Sequence, residues 1–143
     1  MSTNQKSKFN LANIIKYGIY LSAFIPLVIF SQFISPFHFG KVIVFRSLIE
    51  ILVVFYVILL VKHGRQFLPP RTPLFWAITI FTAAFGLTTF TSVNIYQSFF
   101  GTLERMGGWF SLVHFWGFFV IATGVLRKKE EWLTFIKLSL FVS

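Results

Sequence analysis

Five side chains stand where charge or proton chemistry could be done. Arg46 and Glu50 lie four residues apart inside an apolar run, so on a helix they share one face. Glu104 and Arg105 are neighbours, just ahead of Gly107 and Gly108, in a chain with only four acidic residues. His114 follows among Phe and Trp. A charge near the middle of a membrane helix costs about 2.5–3.5 kcal/mol on insertion scales, so Arg46 and Glu50 need a reason to be there. Two readings stay open. They form a self-neutralising pair turned toward other helices, or Arg46 contacts an anionic lipid or pyrophosphate and Glu50 sets its rotamer. Glu104 and Arg105 would point about 100° apart on a helix and would not pair with each other. Each then needs a headgroup, water or another segment. Their Arg reads either as an interfacial side chain snorkelling to lipid phosphate or as a contact to a lipid-linked substrate or an outer domain. His114 has no acidic neighbour in sequence and reads as a hydrogen-bonded packing residue.

Other chemistries find no footing. The chain has no cysteine, which removes disulfides and thiolate metal sites. His38, His63 and His114 lack metal-ligand spacing. There is no phosphate-binding glycine loop, dinucleotide fingerprint, zinc-protease helix or nucleophile elbow. No two carboxylates are placed for acid–base work. No metal or soluble cofactor is implied.

The elements that must hold these residues are apolar. Of 143 residues 56% are hydrophobic, 21 are Phe, only 12% are charged, and mean hydropathy is +0.77. Soluble domains carry about 25% charged residues, and a fold of this size has too little interior to hide so much apolar surface. Lipid is the expected solvent, and the fold class is an all-α membrane protein. Residues 1–13 read as a disordered cytoplasmic tail, and 14–143 as one transmembrane helical domain. Its spans are expected at about 17–34 (kinked at Pro26), 42–61, 74–91 and 108–126, with the start of a fifth from Trp132. Asn94 to Gly107 reads as a polar connector. Trp76, Trp109 and Trp132 near helix ends suit aromatic belts, and Ala83, Ala84 and Gly86 suit close helix packing. The fifth segment stops at about 12 residues where a span needs ~20, so the expectation is a fragment of a longer protein.

The net charge of +9 could signal nucleic acid, but its distribution says otherwise. Lys6, Lys8, Lys16, Lys62, Arg65, Arg71, Arg127, Lys128 and Lys129 fall on one side of the spans; Lys41 and Arg105 fall on the other. This positive-inside bias puts the N-terminus in the cytoplasm and the stretch around Glu104 and Arg105 outside. It accounts for most of the charge, and nucleic acid is not expected as a partner; membrane lipids are.

The stretch "VNIYQSFFGTLERMGGWFSLVHF" resembles a loop and helix start common in the O-antigen ligase and polymerase family of bacterial membrane proteins. Asn94, Tyr96, Ser98, Phe99, Gly101, Glu104, Arg105, Met106 and Gly108 carry the pattern. "FRSLIEIL", the basic proline-rich loop and "RKKEEW" fit the same layout, so the resemblance covers about residues 35–138. It implies a multi-spanning inner-membrane glycosyltransferase that moves glycan from undecaprenyl pyrophosphate to an acceptor outside the cytoplasm. In that family the main catalytic residues lie on a large periplasmic loop of the C-terminal half. This sequence contains no such loop, so the chain alone is expected to be inactive. Arg105, Glu104, Arg46 and Glu50 are then the residues to face substrate or lipid phosphate. The competing expectation is a small non-catalytic multi-pass membrane protein, an assembly partner or transporter subunit.

Overall fold

A computed structural model describes residues 2–28, 39–102 and 106–142. Every regular element among them is helical. The α-helices are α1 (Ser2–Ser22), α2 (Phe39–His63), α3 (Pro73–Phe90), α4 (Ile95–Phe100), α5 (Trp109–Val125) and α6 (Lys129–Val142), with short 3₁₀ turns at Ile25–Leu27 and Gly64–Phe67. Glu104 and Arg105 lie outside the described residues, as do residues 29–34 of the expected first span.

Two helices, Gly40–His63 and Pro73–Phe90, are long and apolar enough to cross a membrane. Most of each is not buried within the chain. Ile51, Val54, Val57 and Val61 on α2, and Leu74, Ile80, Phe81 and Leu87 on α3, are all exposed. The core helix of a soluble protein would bury such residues, and monomeric soluble proteins rarely leave large contiguous apolar faces open. α5 is apolar but reaches only 17 residues.

The N-terminal region departs from expectation. The stretch read as a disordered tail is part of α1, which starts at Ser2. The helix then stops at Ser22, well short of 34, so the first apolar run is not one continuous span. Pro26 explains the stop. It lacks an N–H, and its ring clashes with the carbonyl four residues back, which belongs to Ser22. The chain turns instead through Ile25–Leu27, so Pro26 ends the α-helix where a kink was expected.

α1, α2 and α5 form the core. Ile15 and Ile19 of α1 meet Ile49, Leu52, Tyr56 and Leu59 of α2, and Ile121, Ala122 and Val125 of α5 with Leu126. The α2 positions recur at three- and four-residue steps, which keeps one seam turned toward its neighbours. α2 and α5 run parallel: Arg46 bonds Ser111 near one end, and Tyr56 lies beside Gly124 near the other.

α3 packs on α5 through Thr82, Gly86 and Thr89, its buried residues. Ala83 and Ala84, expected in that contact, face outward. A Cβ on Gly86 would lie 2.8 Å from the Trp109 indole, so the close approach depends on glycine. Trp109 Nε1 donates to Thr82 O at 3.0 Å, which makes this indole a packing group as well as a helix-end aromatic. The threonine hydroxyls of α3 donate to their own helix: Thr79 to Phe75 O, Thr82 to Ile78 O and Thr89 to Phe85 O. Hydroxyls satisfied in this way need no water.

Where a polar connector was expected, six residues form α4. Asn94 caps it, accepting from Gln97 N at 3.1 Å, and Gly101 ends it at φ +82°. Only glycine adopts that conformation freely. Phe99 and Phe100 hold α4 on Trp109 and Phe110 of α5. α6 begins three residues before Trp132 because Glu131 caps it: its carboxylate accepts from Arg127 N at 3.0 Å and Lys128 N at 3.2 Å.

Candidate functional site

Of the four residues expected to face substrate or lipid phosphate, the structure places Arg46 and Glu50. Arg46 lies on the second turn of α2 and reaches the segment that leads into α5. Its Nη2 donates to Met106 O at 3.0 Å and to Ser111 Oγ, and Ser111 Oγ in turn donates to Met106 O. The guanidinium carbon lies 4.7 Å from the centroid of the Phe110 ring, a cation–π distance. Nε is buried and makes no hydrogen bond among the described residues. Met106 takes φ +46°, the one non-glycine residue with positive φ among those described. The arginine thus fastens the carbonyl of a strained residue adjacent to Arg105.

Arg46 also lines a cavity of about 330 Å³ between α1, α2 and α5. Its walls include Ile25, Val42, Phe45 and Phe115, and its second cation is Lys41. Two basic side chains, with Ser22 and Ser111, on a mostly apolar cavity match an amphiphile with a phosphate at one end. A second cavity, about 340 Å³, borders the same connector at Gly107 and Gly108. Thr88, Thr89, Gln97, Ser98 and Thr102 give it hydroxyls and an amide without charge. Such a lining suits a neutral, hydroxyl-rich group.

Glu50 does not form an ion pair with Arg46. Its Oε1 lies 3.4 Å from His114 Nε2, 64 residues away. His114 is buried, and its Nδ1 lies 2.7 Å from Phe110 O. Phe110 therefore links the two charged positions: its ring lies under Arg46 and its carbonyl meets His114. His114 is thus buried and hydrogen-bonded, as a packing residue would be, and it also has an acidic neighbour that comes from another helix. Local sequence carries no signal for that contact or for the Ser111 hydroxyl on Arg46, because both depend on how α2 registers against α5. Lys41 was counted as an outer basic residue, and α2 places it five residues before Arg46, on the same cavity.

At the opposite end, Lys16 Nζ meets Glu131 Oε1 at 2.6 Å and joins α1 to α6. Burial alone would raise the Glu131 carboxyl, but hydrogen bonds from Lys16 and from the Lys128 and Arg127 amides outweigh it, and the net shift is downward. Among the described residues no group of three or more His, Asp or Glu could hold a metal ion.

No family model, curated protein or solved structure matches this chain.

Proposed function

We propose that this chain is the N-terminal membrane part of an O-antigen ligase-like glycosyltransferase, a multi-pass protein of the bacterial inner membrane with its N-terminus in the cytoplasm. The observation that carries the reading is the cavity in which Arg46 and Lys41 meet apolar walls. Transfer of glycan from undecaprenyl pyrophosphate leaves negative charge on the departing pyrophosphate. A fixed guanidinium stabilises charge best where its orientation is set in advance and water is scarce. Arg46 is held on Met106 O, Ser111 and Phe110 and keeps its Nε–H unspent. In this reading Arg46 and Lys41 receive the lipid phosphate, Phe45 and Phe115 cover the first isoprene units, and the neutral cavity beside Gly107 and Gly108 receives sugar. Glu104 and Arg105 belong to the same connector. The chain supplies binding and orientation, and activation of the acceptor comes from elsewhere in the enzyme.

The test is binding of undecaprenyl pyrophosphate to the chain in nanodiscs of neutral lipid. Arg46→Gln should weaken it at least tenfold, and Arg46→Lys, which keeps charge but loses the fork, should fall between. Binding unchanged in Arg46→Gln at normal folding would remove the cavity from the reading.

A further inference from the structure

The end of the bundle away from Arg46 carries more positive charge than the chain neutralises. Lys62 lies in the last turn of α2, Arg71 in the loop to α3, and Arg127, Lys128 and Lys129 where α5 gives way to α6; all five are exposed. Glu131, beside them, is held by Lys16 and by the Arg127 and Lys128 amides. Glu130 is exposed on the first turn of α6. Among the described residues none of the five bases lies in an ion pair.

Local structure gathers part of this charge over a cavity. Gly64, at φ +65°, turns the chain after α2 toward the end of α5. Tyr56 donates to Phe67 O at 2.6 Å, and Gly124 lets that carbonyl approach, since a Cβ there would lie 2.5 Å from it. Arg127 completes the join: Nε donates to Gly124 O at 3.2 Å, and Nη2 to Leu68 O at 3.1 Å. Trp132 is fixed by its own bond, from Nε1 to Leu126 O at 2.8 Å. Between the loop and the start of α6 lies a cavity of about 520 Å³, lined by Leu68, Pro70, Thr123, Leu126, Arg127 and Trp132.

That lining holds one charge, and the charge is fixed in place. A guanidinium has five N–H donors, and the two carbonyls use only Nε–H and one hydrogen of Nη2. Nη1 makes no hydrogen bond among the described residues, so the guanidinium can still take a phosphate oxygen. Leu68, Pro70, Leu126 and the Trp132 ring give apolar walls for glycerol and the first methylenes of an acyl chain. α2 is long and apolar enough to cross a membrane and ends here, at Lys62 and His63, so the cavity sits where a crossing helix leaves the lipid. A phospholipid meets both the cation and the walls; a free phosphate compound meets only the cation. Lys128 and Arg71, next to Arg127 and Pro70 in the chain, favour a headgroup of net negative charge, because a zwitterionic one brings its own ammonium against them.

We propose that this cavity binds the headgroup of an anionic phospholipid, with Arg127 on the phosphate and Trp132 beside the glycerol. Basic pockets between membrane helices suit acidic headgroups in this way. The inference rests on α2 crossing a membrane and not on the glycosyltransferase reading, since it lies at the other end of α2 from the Arg46 cavity.

The experiment is native mass spectrometry of the full chain released from nanodiscs that hold phosphatidylcholine and phosphatidylglycerol in equal amounts. The expected result is a single phosphatidylglycerol retained in preference to phosphatidylcholine. Arg127→Gln should reduce that preference about tenfold or more, because hydrogen bonds made by a charged group are worth at least that factor. Leu68→Asp keeps the Leu68 carbonyl, and so the bond from Arg127, but sets a carboxylate in the cavity; it should have the same effect. Lys62→Gln removes as much charge from outside the cavity and should leave the preference in place. Equal retention of the two lipids by the native chain would overturn the proposal. So would equal losses in Arg127→Gln and Lys62→Gln, the mark of a diffuse basic surface. Displacement of the lipid by soluble glycerol phosphate would overturn it too, since the cavity would then belong to a free phosphate compound.

Discussion

Arg46 Nη2 donates to the carbonyl oxygen of Met106, 60 residues away and next to Arg105 in the chain. The bond ties the second turn of α2 to a residue at positive φ, and Ser111 and the Phe110 ring complete the cradle. Hydrogen bonds made by a charged group contribute about 1.5–3 kcal/mol, and the conformation at Met106 is costly for a residue with a side chain. Arg46→Gln should therefore release the connector ahead of α5 before it unfolds the bundle. Amide exchange at Met106 and Gly107 should rise, while exchange at Leu52 and Leu59 in the core stays slow. Equal acceleration at all four amides would mean that Arg46 holds the whole fold and not this segment.

The α3–α5 contact gives a steric prediction. Gly86→Ala puts a methyl group 2.8 Å from the Trp109 ring, and the indole is held by its bond to Thr82 O. Overpacking of this kind costs about 1–3 kcal/mol. Gly117→Ala on α5 meets only Ile49 Cγ2 at 3.8 Å, an ordinary contact, and replaces a poor helix former. Thermal unfolding in detergent should thus show Gly86→Ala lowered and Gly117→Ala unchanged or raised. The reverse order would mean that α3 does not sit on Trp109.

Acid should open the α1–α6 clasp. The Glu131 carboxyl sits below its ordinary range when folded. An acid whose folded value is depressed contributes stability that is complete above its unfolded value, about 4.3, and is lost as pH falls through the folded one. The melting midpoint of the native chain should hold steady from pH 7 to about 5 and decline below that. Glu131→Gln should start lower at pH 7 and fall less on acidification. A native chain and a Glu131→Gln variant with parallel pH profiles would exclude Glu131 as the source.

How much of this was legible beforehand follows from the range of each interaction. α2, α3 and α5 could be read from apolar runs, and the start of α3 from Pro73, ahead of which Thr72 caps the helix by accepting from Phe75 N. Those signals lie within a few residues of what they determine. The extent of α1 was misjudged because polar residues 2–13 lack an apolar pattern yet are helical, and because Pro26 acts on Ser22, four residues back. α4 was missed because its cap is local but its support is not: Phe99 and Phe100 rest on the start of α5. The same limit applies to the site. The four-residue spacing of Arg46 and Glu50 correctly put them on one helix, but each turns to a different part of α5, and only the helix register decides that Glu50 finds His114.

The topology itself can be tested with the chain as it is, because the absence of cysteine lets any single introduced thiol report its own position. Arg71 lies in the basic loop between α2 and α3, and Thr102 just after α4; both are exposed. If α3 crosses the membrane, Arg71→Cys and Thr102→Cys must label from opposite sides, since of the two helices between them α3 is long enough to cross and the six-residue α4 is not. The positive-inside bias predicts which side is which: Arg71 with Lys62 and the other bases expected in the cytoplasm, and Thr102 outside. A membrane-impermeant maleimide applied to intact cells should therefore label Thr102→Cys and spare Arg71→Cys until the membrane is opened. Labelling of both from outside would leave α3 on the surface of the bilayer. The cavities at Arg46 and Gly107 would then face the wrong solvent for a lipid-linked glycan.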